Sequence, residues 1–156
     1  MELYKSLHDR LENQHFAIAQ IIKNISPERM LVLPAESKWN IHDNIAHLAK
    51  YQITFIERLQ FILKNPNSQI ERYVADEDAE FEIFKKMNDN DLIKSINDQR
   101  LILSSLIFGL QKDDLEKIGI HKKFGPLNII QWAEFFVLHE SHHLFTIFKL
   151  VHDADI

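Results

Sequence analysis

Only three glycines and four prolines punctuate this chain of 156 residues, and so little punctuation makes long helices the default. Four segments carry the apolar recurrence at three- and four-residue spacing that marks an amphipathic helix. The first runs from about Leu3 to Ile25, with Leu3, Leu7, Leu11, Ile18, Ile21, Ile22 and Ile25 on its stripe. "SPERMLVLPAESK" then breaks the pattern with two prolines. The second helix is "WNIHDNIAHLAKYQITFIERLQFILKN", with Asn40 as its N-cap, Asp43 three residues on, and Trp39 placed to staple the entry. The third spans about Asp89 to Leu110, on the stripe Leu92, Ile96, Leu103, Leu106 and Leu110, and the fourth about 128 to 151, opened by Asn128 with Gln131. Residues 65 to 88 form the longest connection, where a short helix or a lid over a site is expected. "IHKKFGPLN" offers a Gly-Pro turn after a short extended piece. The reading is an all-α fold, a four-helix bundle with one long crossover connection between helices 2 and 3, as a single domain over residues 1–156.

Composition removes several classes of function. A formal net charge of -5, with no basic run longer than "KK", argues against a nucleic-acid surface. With no cysteine, disulfides, thiolate ligands and a cysteine nucleophile are excluded. The opening "MELYKSLHDRLENQ" lacks the basic-then-apolar pattern of a signal peptide, and no apolar segment approaches the ~20 residues needed to cross a bilayer. The expectation is a cytoplasmic protein with no membrane partner.

The chemistry concentrates in "FFVLHESHHLF", residues 135 to 145. His139 and His143 fall inside the stripe marked by Trp132, Phe136, Thr146 and Leu150, four residues apart on one helical face. That spacing lets two imidazoles chelate one ion. His142 lies at the edge of the face. A lone buried histidine is more often a hydrogen-bonded core group than a ligand; two at this spacing leave the question even. A third donor is offered by His47 on the flank of the second helix, beside Tyr51 and near Arg58, while His42 reads as solvent-facing. His8, Glu12 and His15 form a rival set on the shoulder of the first helix, where a solvated edge is expected. Gln14 and Gln99 sit mid-stripe at about the level of His139 and His143, a pattern that predicts a polar cavity inside the bundle. Asp43 serves the helix N-terminus or orients an imidazole. Arg58 and Tyr51 suit an anionic substrate, or Arg58 is solvated. Glu140 is expected to face away.

"KWNIHDNIAHL", followed about ninety residues later by "HESHH", resembles the DinB/YfiT superfamily of metal-binding four-helix bundles. The resemblance runs the length of the chain in helix order. It implies a three-histidine site at His47, His139 and His143 holding a divalent metal ion, zinc or nickel first and iron or manganese next, with coordination positions left open. It also implies a metal-dependent enzyme, a thiol S-transferase or a hydrolase, acting on a small-molecule substrate, in some members a low-molecular-weight thiol. A homodimer is a further expectation from the family. Two other classes stand beside it: a non-catalytic, stress-related bundle that holds a small molecule or metal, and a structural bundle whose histidines bond one another.

Overall fold

The computed structural model describes residues 2–34 and 38–152; positions 35–37 of the break after the first helix lie outside it. The first rod is α1 (Lys5–Asn13), a single 3₁₀ turn (Gln14–Phe16) and α2 (Ala17–Ile21). It stops four residues short of the expected Ile25. Pro27 removes a backbone donor and drives the residue before it to extended geometry, and Ser26 at ψ 154 instead caps the short α3 (Pro27–Met30), accepting from the Arg29 amide.

The other three rods are α4 (Ile41–Lys64), α6 (Asp89–Phe108) and α8 (Ile129–His152). Asn40 and Asp43 close a reciprocal capping box at the start of α4, with the Asp43 amide donating to Asn40 Oδ1 at 2.7 Å. Asn128 and Gln131 do the same at α8, each amide donating to the other side chain at 2.9 Å. Both boxes satisfy amides that a helix start otherwise leaves without partners. Trp39 does not act as a staple: the residue four into the helix is Asn44, and the indole packs on His47 and Phe81 instead.

The α1–α2 rod and α4 each pack between α6 and α8, so those two pairs stand on opposite diagonals of the bundle. Fifteen of the 24 residues of α4 are buried, because the crossover also folds over it. That connection carries β1 (Gln69–Ile70), a 3₁₀ turn (Ala75–Glu77) and α5 (Ala79–Phe84). Its clips are Lys50 with Asp78 and Glu80, Lys38 with Asp76, and Arg58 with the Glu71 carbonyl.

After α6 and α7 (Lys112–Leu115), β2 (Ile118–His121) and β3 (Gly125–Asn128) form a hairpin. β2 pairs antiparallel with β3, His121 opposite Gly125, and parallel with β1, Ile70 opposite His121. The turn falls at 122–124, so "GP" opens β3 rather than forming the tip; Gly125 carries φ 75, which glycine adopts without a Cβ penalty. This three-stranded sheet is the part of the bundle that helical periodicity did not foretell. Gly119 is required for its seating: a Cβ there would stand 2.6 Å from the Ile62 side chain and 3.0 Å from Trp132 Nε1. No helix among the described residues is long and apolar enough to cross a membrane.

Candidate metal centre

His47 on α4 and His139 and His143 on α8 come together, each offering one nitrogen, with all three atoms within 4.8 Å of one another. His47 Nε2 and His139 Nε2 are 3.2 Å apart, close to the roughly 3.3 Å expected between two nitrogens on a tetrahedral ion with bonds of about 2.0–2.1 Å. His143 Nδ1 faces Asn44 Oδ1 at 2.9 Å, and Asn44 is itself tied to the Asn40 carbonyl at 2.8 Å. An amide oxygen only accepts, so His143 carries its proton on Nδ1 and keeps the Nε2 lone pair free. The second nitrogens of His47 and His139, both Nδ1, are buried and have no hydrogen-bond partner among the described residues.

Burial holds all three rings neutral. It pushes His47 down to about 2, with the neighbouring His143 and His139 adding to it; His139 down to about 3, with His143 and His142 contributing; and His143 down to about 4, helped by His142. Neutral imidazoles are the ligand form. His142 is exposed and packs edge-on against His143 without joining the cluster.

A cavity of about 630 Å³ opens onto His47 and His139, walled by Trp39, Tyr51, Tyr73 and Phe135. The Tyr51 ring lies 4.1 Å from that of His139, and its hydroxyl accepts from Arg58 Nη1 at 3.2 Å. Burial raises the pKa of Tyr51, so the phenol keeps its proton at neutral pH. The Tyr73 hydroxyl is buried, and burial, then the nearby Asp78 carboxylate, raises its pKa too.

Several other expectations change. His42 is buried, not solvent-facing: its ring nitrogens meet Asp89 Oδ1 at 2.6 Å and the Lys85 carbonyl at 2.9 Å, since the end of the crossover lies over that side of α4. In the rival set, His8 and Glu12 stay on the surface, but His15 is buried, 3.3 Å from Arg100 Nη1. Glu140 does turn away from the cluster, yet into the core, where it pairs with Arg100; each is 1 % exposed. Gln14 donates to Glu140 Oε2 at 2.8 Å. Gln99 is half-buried and does not line the cavity; Arg100 holds the polar core position on α6. Sequence reasoning missed Asn44, Tyr73 and His121. "NIAHL" places Asn44 three residues before His47, a signal within reach; His121 needed the sheet, because only strand pairing brings β2 to the cavity mouth.

Fold and site together define a helical bundle with a three-histidine cluster, two members of which line a cavity. The chain belongs to the DinB superfamily, whose model matches residues 10–147. It is 24% identical over 135 residues to the uncharacterized protein YuaE of Bacillus subtilis, covering 79% of this chain and 83% of YuaE. It is 19% identical over 140 residues to a protein of Oceanobacillus iheyensis named "Putative metal-dependent hydrolase OB0413", covering 86% of this chain and 78% of that one. The fold is similar to that of YfiT from Bacillus subtilis, described as a probable metal-dependent hydrolase with an unusual four-helix bundle topology. That match has a TM-score of 0.80 at 16% identity and covers 93% of this chain and 83% of YfiT. An uncharacterized protein of Clostridium difficile matches with a TM-score of 0.70 at 10% identity, over 99% of this chain and 98% of its own.

Proposed function

We propose that the protein is a metal-dependent enzyme that binds a divalent ion through His47, His139 and His143 and acts on a small-molecule substrate held in the adjoining cavity. The observation that carries this reading is the convergence of three neutral imidazoles on one point. A hydrogen bond between rings employs two nitrogens and leaves the third without a partner; a shared cation employs all three. The chemistry such an ion supplies is polarisation of a bound carbonyl or phosphoryl oxygen and a lowered pKa for a bound water or thiol. Hydrolysis is the first reading, supported by the names of the similar proteins; S-transfer from a low-molecular-weight thiol is the second.

The chain's own residues do the rest. Asn44 fixes the tautomer and ring orientation of His143. The Tyr51 hydroxyl, accepting from Arg58, has its proton free to donate to a substrate oxygen beside His139. Trp39 and Phe135 wall the cavity and give a substrate apolar surface to pack on.

Elemental analysis of untagged protein tests the first half, with near-stoichiometric zinc, nickel, iron or manganese expected and its loss in each of His47→Ala, His139→Ala and His143→Ala. Turnover on ester, amide and lactone panels, set against thiol addition to electrophiles, tests the second. Absence of metal uptake by folded wild-type protein overturns the proposal; stoichiometric metal without turnover on either panel leaves a non-catalytic binding bundle in its place.

A further inference from the structure

The cavity floor is neutral histidine, but its mouth is strongly cationic. Of the charged residues that line it, five are Lys or Arg and two, Glu71 and Asp76, are acidic, a balance of +3 in a chain whose formal net charge is -5. Lys38 is paired with Asp76, which leaves most of the excess on the side of Arg58, Lys122 and Lys123. Three neutral ligands add no negative charge to a divalent ion, so these cations add to an already positive centre. Such a cavity favours an occupant that brings negative charge of its own.

Two of the donors are held in place. The Arg58 guanidinium lies over the rings of Trp132, at 5.3 Å, and Tyr51, at 5.9 Å. It donates to the Tyr51 hydroxyl and to the Glu71 carbonyl, both at 3.2 Å. Both partners are neutral oxygens, so the bonds that fix the fork do not neutralise it, and three of its five N–H groups are not used by them.

His121 lines the same cavity from β2. Its Nδ1 accepts from the amides of Lys123 at 3.0 Å and Phe124 at 3.1 Å, which fixes the neutral ring as the Nε2–H tautomer. Burial, with Arg58 and Lys123 close by, lowers the pKa of His121. The ring therefore presents a neutral donor on a strand, beside a rigid guanidinium.

We infer that the mouth of the cavity is an oxyanion subsite, in which Arg58 and the His121 Nε2–H hold a carboxylate or phosphate group of a substrate whose reacting end lies at His47 and His139. This rests on the proposed function in taking the cavity as the substrate site. The ligand chemistry it selects is a small anion with one tetrahedral or planar oxyanion group set apart from the group that reacts. Arg58 and His121 are binding and specificity residues; neither reaches the histidine cluster as a ligand.

The test is titration with inorganic phosphate and with succinate, read by tryptophan fluorescence because Trp39 lines the cavity and Trp132 lies under Arg58. It is run on metal-free and on zinc-loaded protein. Wild-type protein is expected to bind at least one probe in both forms, and the stronger probe identifies the group as phosphoryl or carboxylate. Arg58→Gln should weaken that binding at least tenfold with zinc content unchanged. His121→Asn, whose side-chain oxygen can still accept the turn amides, should weaken it several-fold and guards against misfolding of the Arg58 variant. Equal binding by wild type and both variants overturns the inference, as does binding that requires zinc and ignores Arg58→Gln, which would put the anion on the ion. Binding of neither probe by the wild type also overturns it. Failure of the wild type to take up metal defeats the functional reading instead, and the metal-free titration separates the two results.

Discussion

Replacing Arg100 by methionine is expected to destabilise the metal-free protein by about 3–5 kcal/mol, the usual result of stranding one member of a buried ion pair. Arg100 and Glu140 are each 1 % exposed. Burial alone pushes the Glu140 carboxyl up and the Arg100 guanidinium down, so either ion is unfavourable in place without the other. Arg100 also donates from Nε to Gln52 Oε1 at 2.9 Å and approaches the Leu11 carbonyl and His15 Nδ1, both at 3.3 Å. Without it, Glu140 is left with the Gln14 amide, at 2.8 Å, as its side-chain partner among the described residues, and Gln52 Oε1 loses its donor. In a domain of this size that loss lowers Tm by roughly 6–20 °C.

The double variant Arg100→Met/Glu140→Leu still strands Gln52 Oε1, which costs about 1–3 kcal/mol, but it removes the unpaired charge. It should therefore recover at least about 2 kcal/mol of the loss. Urea unfolding followed by far-UV circular dichroism, with a chelator present, reads both values. A double variant no more stable than the single one, or an Arg100→Met loss below about 1 kcal/mol, would refute the view that these two ions hold each other in the core.

Asn44→Ala should weaken zinc binding by about 10–100-fold with helical content unchanged, because His143 loses the acceptor that sets its tautomer; competition with a chromophoric chelator measures it, and unaltered affinity would count against Asn44 as the orienting group. The metal-free protein should lose stability as pH falls from about 6.5 to about 4: His15, His139 and His143 sit at about 4, about 3 and about 4 in the fold, and burial comes first among the causes of each shift. The unfolded chain takes up protons on these rings near pH 6.5 while the fold does not, so the unfolded state binds more protons across that window and stability drops with pH. Urea midpoints that stay level between about pH 7 and about pH 4.5 would contradict this. Gly119→Ala should cost about 1–3 kcal/mol through overpacking, since its Cβ would press on Ile62 and the Trp132 indole; a thermal melt matching wild type would show that Ile62 gives way freely.

The long helices and their starts were legible because they depend on local chemistry: stripe spacing, and cap residues that bond within three positions, as Asn40 with Asp43 and Asn128 with Gln131 do. The meeting of His139 with His143 was legible for the same reason, one helix face being a local property. What a helical wheel lacks is knowledge of what stands opposite each face. His42 and His47 are both on α4, and the wheel alone sends His42 to water because the crossover that covers it is irregular and returns from residues 85 to 89. Glu140 faces away from the histidines as its place on the wheel predicts; that this face meets Arg100 is what a wheel does not show. Gln99 and Arg100 are adjacent, and a shift of one residue in the apparent stripe exchanged them. The small sheet was hidden because its strands are two to four residues long, too short for an alternating pattern to declare itself.

Arg100 and Glu140 belong to one polar layer. The apolar core is split into two clusters, one holding Leu11, Phe55, Leu103 and Val137 and the other Ile18, Ala49, Ile96 and Leu144. On each rod the passage from one cluster to the other goes through polar positions: His15, Gln52, Arg100, and the run of His139, Glu140 and His143. A bundle could bury more apolar area by filling that layer with leucine, so its presence has to be explained by what its two halves do. The half around Arg100 and Glu140 is closed, its ions bonded to each other and to Gln14 and Gln52. Since Glu140 adjoins His139 on α8, satisfying Glu140 on one side of the helix turns His139 and His143 toward α4 on the other. The half around the histidines opens on the cavity, with His47 Nε2 and His139 Nε2 3.2 Å apart at its edge. A closed polar lock beside an open polar site is the arrangement expected when rigidity in one place holds a binding geometry in the other.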